Sequence, residues 1–283
     1  MEKLLAKKPE NYLQVIKRSL FLYKKSFKQI YLLAFSLAII VFIPRFLSII
    51  IGQDIFFGID AFNINRIWQF LINLVALMLF LSMLWCIHGI IDQLHEPLKD
   101  DLIHGIKKVF SVFIAALIQT FILGFVFVFV FLISQCMHYY MPQLSNNFFT
   151  MALFAILLSA QFFLMLYVYT LFVFLAPLIL IENKGIISAL RRSISLVWNH
   201  WWRTFSIQAT PWLCYLLALI FTRYILSINI HIYFVAKENF SLWAAILHTL
   251  LFSLFIPWVA ALLVVQLNDL ELRKELAKKN VKK

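Results

Sequence analysis

Charge is scarce in this sequence. Only 13% of its 283 residues are Asp, Glu, Lys or Arg, against 63% hydrophobic residues. A soluble domain needs more polar surface than that, so the bilayer has to be part of the solvent. Glycine is scarce too, with six residues, whereas phenylalanine supplies 30. Bulky side chains suit lipid contact and loosely packed bundles, and no GxxxG motif for close helix approach occurs in an apolar stretch. The three cysteines, Cys86, Cys136 and Cys214, are an odd and scattered set. They exclude a disulfide framework and a CxxC zinc pattern, and read as small apolar residues. No G-x-S-x-G, H-E-x-x-H or P-loop pattern is present, and the protein is not expected to be an enzyme.

What is there is a set of six apolar spans, at about 30–52, 67–91, 109–134, 148–181, 204–228 and 242–266. Each reaches the ~20 residues that cross a ~30 Å hydrocarbon layer. The basic residues alternate between the segments that join them. Residues 1–29 carry eight Lys/Arg, 92–108 three, 182–203 four and the C-terminal tail six; Arg45, Arg66, Arg223 and Lys237 alone fall on the other side. By the positive-inside rule both termini are cytoplasmic. The net charge of +12 then serves topology and attraction to anionic lipid at the cytoplasmic face, and no nucleic-acid partner is expected. The first apolar run follows a Lys-rich segment and has no A-x-A-like site, so it reads as an uncleaved signal anchor.

The cytoplasmic segments share a design. Leu13, Ile16, Leu20, Tyr23 and Phe27 recur at helical spacing, as do Ile187, Leu190, Ile194, Val197 and Trp201, at a constant offset of 174 residues. At that offset Lys17-Arg18-Ser19 lies over Arg191-Arg192-Ser193. Leu102, Ile106, Val109 and Phe113 repeat the pattern more faintly. The expected fold is therefore all-α, a single integral membrane domain over 1–283. It has six transmembrane helices and amphipathic cytoplasmic helices in three repeated units, 10–96, 97–184 and 185–268. Arg18, Arg191 and Arg192, with Trp198, Trp201 and Trp202, would anchor these helices at headgroup depth, or the helices would pack on the bundle as elbows. Span 4, with ~34 residues, would extend roughly 50 Å as a straight helix. Pro177 is expected to kink it, and Asn183 and Gly185 to supply the turn that follows.

Few polar groups fall inside the spans: Asn73, Gln119, Thr120, Ser159, Gln161, Gln208 and His248. None is Asp, Glu or Lys, which counts against a proton- or ion-coupled transporter. Gln119 and Gln161 are read either as an interhelical pair or as contacts for a cargo. Arg45 and Arg223, near the outer ends of spans 1 and 5, are expected to snorkel to headgroups or to bind a lipid phosphate or an acidic partner. His88, Asp92 and His95 recur at i, i+4 and i+7 where span 2 ends. That spacing suits a metal site, but an interfacial polar patch is the ordinary reading, and no metal or other cofactor is expected.

Pro177, an apolar stretch, Glu182, a short turn, Ala189 and Ser193, then Leu196 and Trp201/Trp202 resemble a pattern in a loose bacterial group. That group holds the YciC-like inner-membrane proteins and the membrane domain fused to some glycerophosphodiester phosphodiesterases. The resemblance implies a multi-pass protein of a bacterial cytoplasmic membrane and carries over no catalytic residues. Two functions are expected. One is a structural or accessory role in envelope organisation or membrane-protein assembly, with a membrane-protein partner. The alternative is a binder or carrier of lipid or a small apolar molecule, which requires a polar or amphipathic cavity containing Gln119, Gln161 or Arg45.

Overall fold

The computed structural model describes residues 4–51, 62–94, 97–140, 148–225 and 242–281. The chain is all-α. In order it forms α1 (Tyr12–Ile51), α2 (Phe62–Ile91), α3 (Leu98–Tyr140), α4 (Phe148–Leu171), α5 (Leu175–Leu180), α6 (Ile186–Val197), α7 (Trp201–Tyr224) and α8 (Leu242–Val281). A 3-10 turn over Trp198–His200 joins α6 to α7. Six stretches are long and apolar enough to cross a membrane. The amphipathic segments before spans 1 and 3 are not separate helices. They run unbroken into the spans as the first turns of α1 and α3, because neither Gly nor Pro interrupts 12–30 or 98–109 except Gly105. Only the third, α6, stands alone.

The outward spans in α1, α3 and α7 are 33%, 11% and 28% buried, whereas the returning spans in α2, α4–α5 and α8 reach 39%, 50% and 72%. The returning spans thus form the middle of the bundle, with α8 as its hub. α3 turns Phe110, Phe121, Phe125, Phe127, Phe129 and Phe131 outward, a surface that hydrocarbon covers without cost.

At the basic end of the bundle each starting segment packs on the returning span that precedes it. For α1 that span is the last one, α8. The buried face of α1 is Val15, Ser19, Leu22 and Ser26, and that of α6 is Ala189, Ser193, Leu196 and Val197. Apart from Val197, which belongs to the expected stripe, both lie one position away from the expected apolar stripes, and Leu13 and Ile187 are exposed. The 174-residue offset nonetheless holds for the buried pairs Val15/Ala189, Ser19/Ser193 and Leu22/Leu196. In α3 the corresponding contact is made by Gly105, where an added Cβ would lie 2.2 Å from Ser82 Oγ and 2.9 Å from the Met78 carbonyl oxygen. Ser19 Oγ accepts a hydrogen bond from Trp258 Nε1 at 3.0 Å and donates to the Ile16 carbonyl at 2.8 Å.

Span 4 breaks as its length requires, but upstream of Pro177. Phe172, Val173 and Leu175 donate their N–H groups three residues back, to Tyr169, Thr170 and Phe172. A proline has no N–H and crowds the carbonyl four residues before it, so the helix is disrupted around Val173. Leu175 therefore does not serve the Leu171 carbonyl. Ser193 Oγ does, at 2.6 Å, from a fully buried position. The Pro177…Ser193 pair of the sequence motif is thus a break and the hydroxyl that satisfies it. Ser193→Ala is expected to cost about 1–3 kcal/mol by leaving that carbonyl without a donor. Thermal unfolding in detergent measures this, and an unchanged midpoint would assign Leu171 another donor. Past the break Asn183 takes φ 53, which Asn tolerates better than most residues, and Gly185 caps α6.

Candidate functional site: an intramembrane recess

A recess of about 470 Å³ lies in the half of the bundle nearer the basic end. The break after α4 shapes one wall, with Phe172, Val173, Leu175 and Ala176. α2 adds Leu77 and Phe80, and α8 adds Ile256, Val259 and Leu263. Phe172, Leu175, Ile256, Val259 and Leu263 are buried, so the floor is apolar and closed. The rim is different. Tyr169 of α4 is 54% exposed and Trp212 of α7 is 44% exposed, and both sit inside membrane-spanning stretches. The mouth therefore opens on the side of the bundle, between helices apolar enough to cross a membrane.

Two amides stand in the walls. Gln119 of α3 lines the recess with Val112 and Ala116. Gln208 of α7 does so with Phe205 and Ala209. Gln208 is held from behind: its Nε2 donates to Gln266 Oε1 at 2.6 Å, and Gln266 Nε2 donates to the Thr204 carbonyl at 3.2 Å. Gln266 is fully buried and lies at the last position of span 6, where sequence reading passed over it. Thr170, the remaining hydroxyl in the lining besides Tyr169, is committed to the Leu166 carbonyl at 2.7 Å. No charged side chain is among the described residues that line the recess.

No protein-family model, curated protein or solved structure matches this chain.

The other residues singled out in the sequence are placed elsewhere. Gln161 is not in the recess and makes no hydrogen bond to Gln119 among the described residues, so the two are not a pair. Thr120 and Ser159 bond to carbonyls one turn back in their own helices, at 2.8 and 2.7 Å. The snorkelling expected of Arg45 gives way to a contact inside the bundle. Its Nη1 lies 2.7 Å from Nδ1 of His248, a buried side chain flanked by the rings of Phe42 and Tyr215. Arg223 stands over the Tyr224 ring at 5.8 Å. His88 Nε2 and Asp92 Oδ2 pair at 3.3 Å, and Trp85 stacks on His104 at 4.2 Å. No group of three metal-binding side chains occurs among the described residues; His95 and the Cys136 side chain lie outside them.

The basic end is knitted together by ion pairs that no local motif announces. Asp269 of α8 is buried and accepts from Arg203 Nη2 at 3.1 Å, Arg273 Nε at 3.0 Å and the Glu10 N–H at 2.8 Å. Arg203 and Arg273 also donate to the Glu10 carbonyl, at 2.7 and 2.6 Å. Arg18 grips both carboxylate oxygens of Glu10. Arg192 of α6 pairs with Glu271 at 2.9 Å, and Lys184 pairs with Glu182. Burial pushes the Glu271 carboxyl above its usual range; the Arg192 hydrogen bond opposes this and the adjacent Glu182 adds to it. Trp201 turns inward, with its ring 5.2 Å from that of Tyr167, whereas Arg191, Trp198 and Trp202 face outward. α6 is thus an elbow docked on the bundle that presents Arg191 on its outer edge, with Trp198 of the following turn and Trp202 of α7 exposed beyond it. A second hollow, about 500 Å³, runs along the start of α1 with Lys7, Lys17 and Arg18 at its edge.

Proposed function

We propose that this is a non-enzymatic, multi-pass protein of a bacterial cytoplasmic membrane, with both termini cytoplasmic, that binds a lipid or small apolar molecule in the recess between α3, α4–α5, α7 and α8. The observation that carries this reading is a closed apolar floor with an aromatic rim at membrane depth. Its volume falls in the ~300–1,000 Å³ range of small-ligand sites, which are typically apolar with a few placed polar groups. A hydrocarbon chain could enter sideways from the bilayer without crossing water. The concentration of Lys and Arg at one end supports the orientation. The resemblance of residues 177–203 to the YciC-like group supports the bacterial assignment. Lys7 and Lys17 along the α1 hollow favour anionic lipid around the basic end, each cation contributing about 1 kcal/mol near such a surface.

Ala209→Phe tests the reading by filling the recess from α7. Native mass spectrometry of protein released gently from its own membrane is expected to show one retained lipid-sized adduct per wild-type chain. The variant should lose it while keeping the wild-type circular dichroism spectrum. Equal retention by both proteins would remove the recess from the account. A stoichiometric partner polypeptide with no retained ligand would instead favour the accessory role.

A further inference from the structure

Resting on the binding reading above, we infer that the recess selects an uncharged long-chain lipid carrying a free hydroxyl, such as a glyceride or a long-chain alcohol, over a fatty-acid anion or a phospholipid headgroup.

Charge comes first. The lining described contains no cation. Arg203, which precedes the lining residues of α7 in sequence, is committed to Asp269 and the Glu10 carbonyl, and Arg273 makes the same two contacts. A carboxylate or phosphate brought into the recess would shed water and find no opposite charge, which is the costly case for a buried ion.

Hydrogen-bond polarity then separates the neutral candidates. The Gln266–Thr204 chain uses one N–H of Gln208 and leaves the second N–H as a donor and Oε1 as an acceptor that needs a donor. Gln119 has no hydrogen-bond partner among the described residues and offers both a donor and an acceptor. An alkane answers neither group. An ester or ketone can only accept, so it serves the free N–H groups of Gln119 and Gln208 and leaves both Oε1 atoms unmet. A carboxylate sets its own oxygens against that acceptor. A hydroxyl donates and accepts, and so matches what both amides lack. The apolar floor then takes the chain, with Tyr169 and Trp212 at the mouth.

Trp212 provides the readout, because bromine on a bound chain quenches an indole that it touches. The purified full-length protein in detergent would be titrated with a dibrominated long-chain alcohol, the matching carboxylate at alkaline pH and a dibrominated phosphatidic acid. Trp212→Phe identifies the share of quenching that comes from the recess. The alcohol is expected to saturate this share with an affinity roughly tenfold above that of the carboxylate, the scale of one hydrogen bond gained or left unmet. Gln119→Leu and Gln208→Leu should each erase most of that advantage. Carboxylate or phosphatidic acid binding as tightly as the alcohol, through Trp212-dependent quenching, would overturn the hydroxyl preference and leave lipid binding standing. Absence of Trp212-dependent quenching by all three probes would overturn both.

Discussion

Replacing Asp269 with alanine is expected to lower the unfolding free energy by about 3–5 kcal/mol, the loss typical of removing one partner from a buried charge network. The carboxylate is 1% exposed and binds two guanidinium groups and the Glu10 N–H. Without it, Arg203 and Arg273 converge on the Glu10 carbonyl with no anion between them. Asp269→Asn keeps an acceptor but not the charge, so it should fall between alanine and wild type. The N-terminal segment depends on the same group, since the hydrogen bonds of the Glu10 backbone among the described residues go to this cluster, and Asn268 Nδ2 grips the Ala6 carbonyl at 3.2 Å. Tryptic cleavage after Lys7 should therefore accelerate in Asp269→Ala before the bundle itself unfolds; the Lys8–Pro9 bond resists trypsin. Unfolding in mixed micelles, followed by tryptophan fluorescence, gives the stability. A change under about 0.5 kcal/mol, as for an ordinary surface site, would mean that the network contributes nothing.

The second large effect is expected at Gly105. A methyl group there meets Ser82 Oγ at 2.2 Å and the Met78 carbonyl at 2.9 Å. The hydroxyl can rotate away, although it would give up its 2.9 Å bond to the Met78 carbonyl; the carbonyl belongs to the α2 backbone and cannot. Gly105→Ala should thus separate α2 from α3 and cost about 1–3 kcal/mol, the usual price of overpacking. Gly105→Leu should cost more. Adding Ser82→Ala removes the closer clash only, so Gly105→Ala/Ser82→Ala is expected to recover part of the loss. Full recovery would show that the backbones were not in limiting contact, and no initial loss would show that the α2–α3 interface is loose.

The spans were legible because a bilayer imposes a length and a hydropathy that few other structures need. The buried faces were not. The apolar stripes at Leu13/Ile16/Leu20 and Ile187/Leu190/Ile194 miss the packed face by one position, because apolar side chains have no reason to prefer protein over lipid tails. The packed face mixes Val15, Leu22, Leu196 and Val197 with small or hydroxyl-bearing residues: Ser19, Ser26, Gly105, Ala189 and Ser193. The alignment of Ser19 with Ser193 held that signal, beneath the more visible stripe. Pro177 foretold the break in span 4, but not that Ser193 would complete it. The site was legible in fragments. Gln119 and Gln208 stood out as polar residues in apolar spans, whereas Gln266 sat at a span end, and the recess needs five separated segments to exist. Asp269 pairs with Glu10 across 259 positions, which no local pattern encodes.

The most direct test is to let the membrane label the protein. Cells would be grown with a fatty acid carrying a photoactivatable diazirine in its chain, irradiated, and the adducts mapped by peptide mass spectrometry. Lipid on the outer surface must label Phe121, Phe125 and Trp243, which are exposed. Lipid in the recess is predicted also to label the Ala116–Gln119 and Phe205–Trp212 segments, and Ala209→Phe should abolish that second set while leaving the first. Adducts confined to the outer surface in wild type and variant alike would contradict a lipid-binding recess.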